Sequence, residues 1–303
     1  MINTPLRIAL LSASALIGSQ LAGCGGGGSN DTGQLKFSVA DAPVDGATAV
    51  VVKFTGVEVK PKNGSAVQFD LSTPRSVDLL ATASGTAFVL LGGVTLDAGE
   101  YEFARLKVVS DRNTTDSYID LADGSRAPLF VPSGSESGLK LNNGFVVPEG
   151  GVRALIVDFD LRRSIVKPQG QEAYTLKPVL RLVDEAQIGL VSGTVAATQI
   201  TAAGCTGDVN TGAGNAVYIY SGTVATPDDL GGSGTQPLVG GPVKFDTASG
   251  TYRYTVAYLP AGSYTAAFTC QATGDDPEAD NATVFSAPVS LTVTAGSTTT
   301  VNF

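Results

Sequence analysis

From Leu35 onward the chain consists of short segments in which apolar and polar residues alternate. These segments are rich in Val, Thr, Phe, Tyr and Leu, and Gly, Pro, Asn, Asp or Ser fill the gaps between them. Alternation with a period of two places successive side chains on opposite faces of a strand, so the pattern predicts many short β-strands separated by turns. The best helical candidate, Val77–Ala83, is one or two turns long. The sequence therefore predicts an all-β fold.

The predicted strands form two groups that meet near Ala186–Leu190. The first group is Leu35–Ala40, Ala49–Lys60, Ala66–Leu71, Ala87–Leu91, Tyr101–Ser110, Ser117–Leu121, Gly151–Phe159 and Tyr174–Val183. The second group is Val191–Ala197, Ala216–Tyr220, Val243–Phe245, Thr251–Tyr258, Tyr264–Cys270, Thr283–Phe285, Val289–Val293 and Thr299–Phe303. We predict two β-sandwich domains, residues 34–187 and a smaller one at 188–303. The second includes a long Gly-rich loop, Thr226–Pro242, which is expected to be mobile.

The N-terminal segment has the features of a bacterial lipoprotein signal. Arg7 gives it a positive start, Ile8–Ile17 is a short apolar run, and Leu-Ala-Gly precedes Cys24. The run is too short, and too interrupted by Ser and Gly, to span a bilayer stably. An ordinary secretory signal is the alternative, but it needs no thiol after the cleavage site. We predict a signal peptide over residues 1–23 that is cleaved so that Cys24 becomes the lipidated first residue.

A lipid on Cys24 would hold the folded chain near a membrane. Lipidation contributes about 0.8 kcal/mol per buried methylene, so two or more acyl chains anchor a protein stably. Residues 24–33 form a Gly-rich tether with a reach of about 16–18 Å. Because Gly25 rather than Asp follows the cysteine, the segment resembles lipoproteins sorted to the outer membrane of Gram-negative bacteria. The expected location is the cell envelope, and the expected contact is with the membrane through the anchor.

Charge and composition exclude several functional classes. After removal of the signal peptide, 28 acidic residues stand against 18 basic ones, which disfavours nucleic acid and anionic lipid surfaces as partners. The sequence contains no histidine, so imidazole-based catalytic triads and histidine zinc sites are excluded. The remaining cysteines, Cys205 and Cys270, are expected to pair as a disulfide in an oxidising compartment. A thiol nucleophile is the weaker alternative, because no histidine could activate it.

Both predicted domains resemble known families. Residues 38–45, Val57–Val59, Val77–Leu80 and Leu176–Leu182 resemble domain of unknown function 4382, over roughly residues 33–187. That family occurs in bacterial envelope lipoproteins, and the resemblance implies a location but no activity.

The second domain carries Gly-Thr-Tyr-Arg-Tyr at 250–254 and Leu-Pro-Ala-Gly-Ser-Tyr at 259–264. This pair resembles a hairpin of transthyretin-like and carboxypeptidase-regulatory-like sandwiches. The resemblance implies a fold and leaves the function open.

Carboxylates provide the first candidate chemistry. Asp158 and Asp160 alternate along one predicted strand, and Arg105 and Lys107 alternate along another. If the two strands pair, these residues form an ion-pair ladder on a solvated face. A pair of carboxylates could instead serve a glycosidase-like hydrolase, provided that they converge in a cleft.

Two further patterns suggest binding. The acidic segment with Asp275, Asp276, Glu278 and Asp280 offers the oxygen ligands that calcium prefers, although it matches no EF-hand loop. The alternative is a solvated acidic loop. Tyrosines at 218, 220, 252, 254, 258 and 264 could form an aromatic platform for sugars, or could instead lie at the rim of a core with their rings buried.

The sequence thus predicts a non-enzymatic lipoprotein of the cell envelope, without a required cofactor, that acts as a binding or scaffolding module. An envelope protein or a glycan is the expected partner. A carboxylate-based hydrolase and a calcium-stabilised, adhesin-like module are the alternatives.

Overall fold

Two groups of β-sheets make up the protein, which confirms the predicted all-β class. The computed structural model describes residues 31–42, 46–82, 85–132 and 137–303. The predicted signal peptide, Cys24 and most of the predicted tether lie outside these residues, and the first strand begins at Thr32. Among the described residues, no helix is both long and apolar enough to cross a membrane.

The first group of sheets uses residues 32–184. Its strands are β1 (Thr32–Ala42), β2 (Ala47–Pro61), β3 (Val67–Asp78), β4 (Phe88–Asp97), β5 (Gly99–Val109), β6 (Tyr118–Leu121), β7 (Arg126–Phe130), β8 (Leu139–Leu141), β9 (Phe145–Val147), β10 (Val152–Asp160), β11 (Ile165–Val166), β12 (Tyr174–Leu176) and β13 (Leu180–Asp184). One sheet has the order β13-β10-β1-β4, with β1 and β10 parallel. The other has the order β11-β12-β7-β6-β2-β5-β8, with β3 on β2 and β9 on β5.

These two sheets enclose the larger hydrophobic core. Alternate residues of β1, including Leu35, Phe37 and Val39, are fully buried, as the alternating sequence requires. Phe54 on β2 meets Phe159 on β10 edge to face, with ring centroids 6.4 Å apart. Because these rings come from different sheets, the contact closes the sandwich.

The second group uses residues 188–300. Its strands are β14 (Ile188–Val195), β15 (Ala216–Ser221), β16 (Val239–Pro242), β17 (Lys244–Asp246), β18 (Thr251–Pro260), β19 (Gly262–Thr269), β20 (Val289–Val293) and β21 (Thr298–Thr300). They form two four-stranded sheets of order β17-β18-β14-β21 and β16-β15-β19-β20. Val191, Ile219, Tyr254 and Phe268 belong to the core between them. Short helical turns complete the chain at Leu80–Thr82, Leu161–Ser164, Glu185–Gln187, Ala197–Ile200 and Ala272–Gly274.

A disulfide joins Cys205 to Cys270, which confirms the predicted pairing. Cys205 follows the helical turn Ala197–Ile200, and Cys270 follows β19. The amides of Thr206 and Gly207 both donate to the carbonyl of Cys270, at 3.1 and 3.0 Å. The bridge therefore fixes the segment between β14 and β15 against the end of β19.

The two groups meet through a small apolar contact. Tyr258 packs with Ala40, Ile156 and Val183 of the first group, and its hydroxyl donates to the carbonyl of Thr82 at 3.3 Å. Tyr258 has a φ of 57°, a rare conformation for a residue with a side chain, and it lies at an irregularity in the pairing of β14 with β18. Residues 31–303 form one compact unit, so the division into domains at residues 187 and 188 stays a prediction.

Proline and short edge strands explain where the predicted strands differ from the observed ones. The predicted strand Tyr174–Val183 is interrupted between β12 and β13, because Pro178 has no amide hydrogen for a ladder. The helical candidate Val77–Ala83 was wrong over its first two residues, which end β3, and only Leu80–Thr82 forms a helical turn. Residues 283–285 form no strand, whereas β7, β8 and β9 were not predicted.

Candidate binding cleft

A cleft of about 650 Å³ lies between the two groups of sheets. The first group contributes one wall and the second group the other. The first wall consists of Gly46, Ala47, Thr48, Asp78, Leu80 and Ala81. The second wall consists of Asn210, Thr211, Ala213, Pro242, Val243, Lys244, Phe245 and Thr247.

The first wall is held by a carboxylate at the end of β3. One oxygen of Asp78 accepts the amides of Val50 and Leu80, each at 3.1 Å. A short polar side chain that satisfies local backbone donors fixes a turn in this way. The helical turn that follows therefore presents Leu80 and Ala81 to the cleft from a fixed backbone.

The second wall is a turn closed by Asp208. Its carboxylate accepts the amides of Asn210 and Thr211, at 2.6 and 3.2 Å, and these bonds hold its pKa below the usual range. The carbonyl of Thr211 accepts the amide of Phe245 at 2.8 Å, and this bond ties the turn to β17. Both walls thus rest on hydrogen-bonded turns at the ends of strands.

The lining suits binding better than acid–base catalysis. Its described residues combine hydroxyl and amide groups with apolar surface from Leu80 and Phe245, and they include one acid, Asp78, and one base, Lys244. Ligand sites commonly have this mixture of apolar walls and a few polar groups. Among the described lining residues there is no second carboxylate to pair with Asp78, so the two-carboxylate arrangement of a glycosidase is missing here.

The predicted ladder of Asp158 and Asp160 with Arg105 and Lys107 was wrong. β10 pairs with β1 and β13, whereas β5, which carries the two basic residues, belongs to the other sheet. Asp158 pairs instead with Arg181 on β13. Asp158 and Asp160 are both buried, with 2% and 7% of their residue surfaces exposed. Neither lines the cleft, so the structure does not favour the hydrolase alternative.

Burial of Asp158 predicts a dependence of stability on pH. Loss of solvent raises its pKa to about 6, although the adjacent Arg181 opposes the shift. Between about pH 4 and pH 6 the folded protein therefore holds a proton that the unfolded chain releases, and stability falls as the pH rises. The expected loss over this range is about 2–2.5 kcal/mol relative to Asp158→Asn, which cannot titrate. Urea unfolding of both proteins from pH 4 to pH 7 measures the difference, and parallel curves would contradict the prediction.

The six tyrosines do not form an aromatic platform, and the interpretation that their rings are buried at the rim of a core is confirmed. Every ring is buried, with at most 9% of the residue exposed. Their hydroxyls donate to Asp275 (from Tyr218) and to the carbonyls of Asp228 (Tyr220), Val209 (Tyr252), Val301 (Tyr254), Thr82 (Tyr258) and Pro260 (Tyr264). Buried tyrosines use their hydroxyls in this way to satisfy backbone acceptors.

One of these tyrosines belongs to a polar network that joins the two groups. Arg162 donates to the Tyr218 hydroxyl and to the carbonyl of Ala272, and the Tyr218 hydroxyl donates to Asp275. The other oxygen of Asp275 accepts the amide of Leu230 at 3.1 Å. Burial raises the pKa of Tyr218 far above its usual range, so the hydroxyl keeps its proton.

Tyr218→Phe is expected to lower the free energy of unfolding by about 1–3 kcal/mol, because it leaves an oxygen of the buried Asp275 without its donor. Tyr264→Phe is the matched control, since its hydroxyl serves only a part-buried carbonyl of Pro260 and the expected cost is about 1 kcal/mol or less. Urea unfolding followed by circular dichroism measures both. A smaller loss for Tyr218→Phe than for Tyr264→Phe would contradict the expected contribution of the Tyr218–Asp275 hydrogen bond to stability.

The four predicted calcium ligands have different surroundings. Asp275 is buried in the network just described, and Asp276 accepts the amide of Glu278 at 2.9 Å. Glu278 itself forms an exposed ion pair with Lys177 at 3.4 Å. Asp280 lies instead near Asp228 and Asp229, which were not among the predicted ligands. Calcium binding by the predicted set stays a prediction.

Sequence reasoning missed the cleft and the pair Asp228 and Asp229. The cleft forms from residues 46–81 and 210–247, and no local pattern indicates that these segments meet. The adjacent acids Asp228 and Asp229, near the start of the Gly-rich segment 226–242, are the one local signal of this pair in the sequence.

Comparison with solved structures gives only distant similarity. The Bacillus anthracis TIE protein is 12% identical, with a TM-score of 0.20, and the alignment covers 90% of this chain and 33% of that one. This chain thus spans about a third of the length of that protein. GBS52, the minor pilin of Streptococcus agalactiae, is 10% identical over 89% of this chain and 94% of its own, with a TM-score of 0.19. The major pilin subunit of Bacillus cereus is 10% identical over 90% and 99%, with a TM-score of 0.18. Scores this low assign neither fold nor function.

Comparison by sequence supports the resemblance of the first part of the chain to domain of unknown function 4382. No curated protein matches the chain. Residues 32–178 match the family model of the Domain of unknown function (DUF4382). The matched region contains β1 to β12 and therefore nearly all of the first group of strands. The predicted resemblance of the first part of the chain to DUF4382 is therefore confirmed over residues 32–178.

Proposed function

We propose that this protein is a non-enzymatic lipoprotein of the cell envelope that binds an envelope protein or a glycan in the cleft between its two groups of sheets. Cys24 would carry the lipid anchor and hold the protein at the outer membrane. The second group of sheets would act as a transthyretin-like or carboxypeptidase-regulatory-like sandwich that completes the binding surface. No catalytic step is assigned to any residue.

The cleft is the observation that carries this proposal. Both of its walls are fixed by hydrogen bonds that do not depend on a ligand, through Asp78 on one side and Asp208 on the other. A preformed site loses little conformational freedom on binding. The lining offers hydroxyl, amide and apolar contacts, which suit a sugar or an extended peptide.

A substitution that fills the cleft tests the binding function. Ala81→Trp places a large ring at an exposed position of the first wall, and Ala295→Trp places the same ring in an exposed turn that does not line the cleft. The intact lipoprotein is used to capture partners from envelope extract, and the products are identified by mass spectrometry. We expect capture to be lost with Ala81→Trp and kept with Ala295→Trp. Equal capture by both folded variants would rule out the cleft as the binding site.

The anchor requires its own experiment. Cys24→Ser is expected to abolish incorporation of labelled palmitate and to move the protein from the membrane fraction to the soluble fraction of lysed cells. Density-gradient separation of the wild-type membranes then distinguishes the outer from the inner membrane. Membrane retention of the unlabelled variant would overturn the proposed anchor without affecting the test of the cleft.

A further inference from the structure

The Gly-rich segment 226–242, whose last four residues form β16, packs closely against the acidic loop 275–281. An added Cβ at Gly231 would lie 1.5 Å from the carbonyl oxygen of Ala279, and one at Gly232 would lie 2.6 Å from the carboxyl carbon of Asp280. At Gly234 the same atom would lie 1.4 Å from a carboxylate oxygen of Asp228. Gly231 and Gly232 therefore let the two acidic segments approach each other, and Gly234 makes room for Asp228 of its own segment; this role differs from the mobility that the sequence suggested.

Three carboxylates meet where these loops touch. Asp228, Asp229 and Asp280 each place one oxygen within 4.8 Å of an oxygen from the other two. The Asp228 side chain is half-buried, and Asp280 is exposed at the surface. Among the ion pairs of the described residues, none includes any of the three, so no basic side chain offsets this negative charge.

Asp229 provides the second and independent observation. It is fully buried, with 0% of its surface exposed, and its Oδ1 has no hydrogen-bond partner among the described residues. Its Oδ2 accepts the amide of Asn281 at 2.5 Å, and this bond holds the carboxyl group in place between the loops. A buried carboxylate oxygen without a donor costs free energy unless a cation or a proton satisfies it.

The chemistry of the ligands selects the type of cation. All three donors are carboxylate oxygens, which hard divalent cations prefer. Calcium accepts six to eight oxygen ligands in irregular arrangements, and the exposed side at Asp280 leaves room for water to complete such a set. Magnesium requires nearly octahedral geometry and gives up its water reluctantly, which two separate loops fit less well.

We propose that Asp228, Asp229 and Asp280 bind a calcium ion that fastens segment 226–242 to loop 275–281. The site shares only Asp280 with the ligand set that the sequence suggested. It is distinct from the cleft, because none of the three residues lines it. The proposal therefore does not depend on the proposed function.

Titration of the purified full-length protein in detergent tests the site. After treatment with chelator, CaCl₂ is added in a calorimeter and during thermal unfolding. We expect one binding event and a rise in Tm of about 5 °C at a hundredfold excess over Kd. An equal response to MgCl₂ would overturn the assignment to calcium, and no response to either ion would overturn the site.

Matched substitutions separate this site from the acidic segment at large. Asp280→Asn removes a charge at the surface and is expected to weaken calcium binding at least tenfold, and Asp229→Asn is expected to do the same from the buried side. Glu278→Gln removes another exposed charge from the same loop and should change affinity less than twofold. Should Asp229→Asn fail to fold, Asp280→Asn still decides the question. Equal losses from Asp280→Asn and Glu278→Gln would overturn the proposed ligand set.

Discussion

Replacing both Cys205 and Cys270 with serine is expected to lower the free energy of unfolding of the protein by about 4 kcal/mol. The bridge joins residues that are 65 positions apart, and the strands β15 to β19 all lie between them. Without it, the unfolded chain gains the conformational freedom of a long loop, and the chain-entropy model gives this magnitude. Urea unfolding monitored by circular dichroism measures the change.

The folded geometry near the bridge should survive the substitution. The amides of Thr206 and Gly207 still donate to the carbonyl of residue 270, so the effect belongs mainly to the unfolded chain. A reducing agent should destabilise the wild-type protein by the same amount and leave the serine variant unchanged. A loss below about 1 kcal/mol would show that the unfolded chain is already compact in this region.

Alternation predicted strands well wherever one face of a strand is buried. β1, β2, β5 and β18 follow the predicted segments closely, and along β18 buried residues such as Tyr252, Tyr254 and Val256 alternate with more exposed ones. Short strands such as β8 and β9 contain three residues each, too few for a periodic signal. Their pairing with β5 depends on contacts distant in sequence, which a local pattern does not contain.

The same dependence on contacts distant in sequence explains why the predicted solvated ladder of Asp158 and Asp160 was wrong. A strand with polar residues at every second position predicts a solvated face, and the alternation of Asp158 and Asp160 gives that prediction. In the structure, β10 lies between β1 and β13, and Tyr258 of the second group packs near Ile156 on this face. This face of β10 is buried because the second group of sheets packs on it. The alternation of residues within β10 carries no information about that packing.

Gly193→Ala is expected to lower the free energy of unfolding by about 3–5 kcal/mol, one of the largest effects of any single methyl group in this protein. A Cβ at Gly193 would lie 1.7 Å from the carbonyl oxygen of Val301, which is backbone and cannot rotate away. On either side, Ser192 and Thr194 accept the amides of Val301 and Phe303, both at 3.0 Å. The methyl group therefore forces the C-terminal segment off β14 and uncovers the core under the side chains of Val301 and Phe303.

Gly92→Ala separates this steric effect from the general replacement of a strand glycine. Gly92 lies in β4, and a Cβ there has no atom within 4 Å, so the expected change is within about 0.5 kcal/mol. Urea unfolding measures both variants, and carboxypeptidase digestion should release the last residues of Gly193→Ala faster than those of the wild type. If Gly193→Ala instead matches Gly92→Ala in both assays, the C-terminal segment can shift without loss, and its contacts with Tyr254 and Phe268 contribute little to stability.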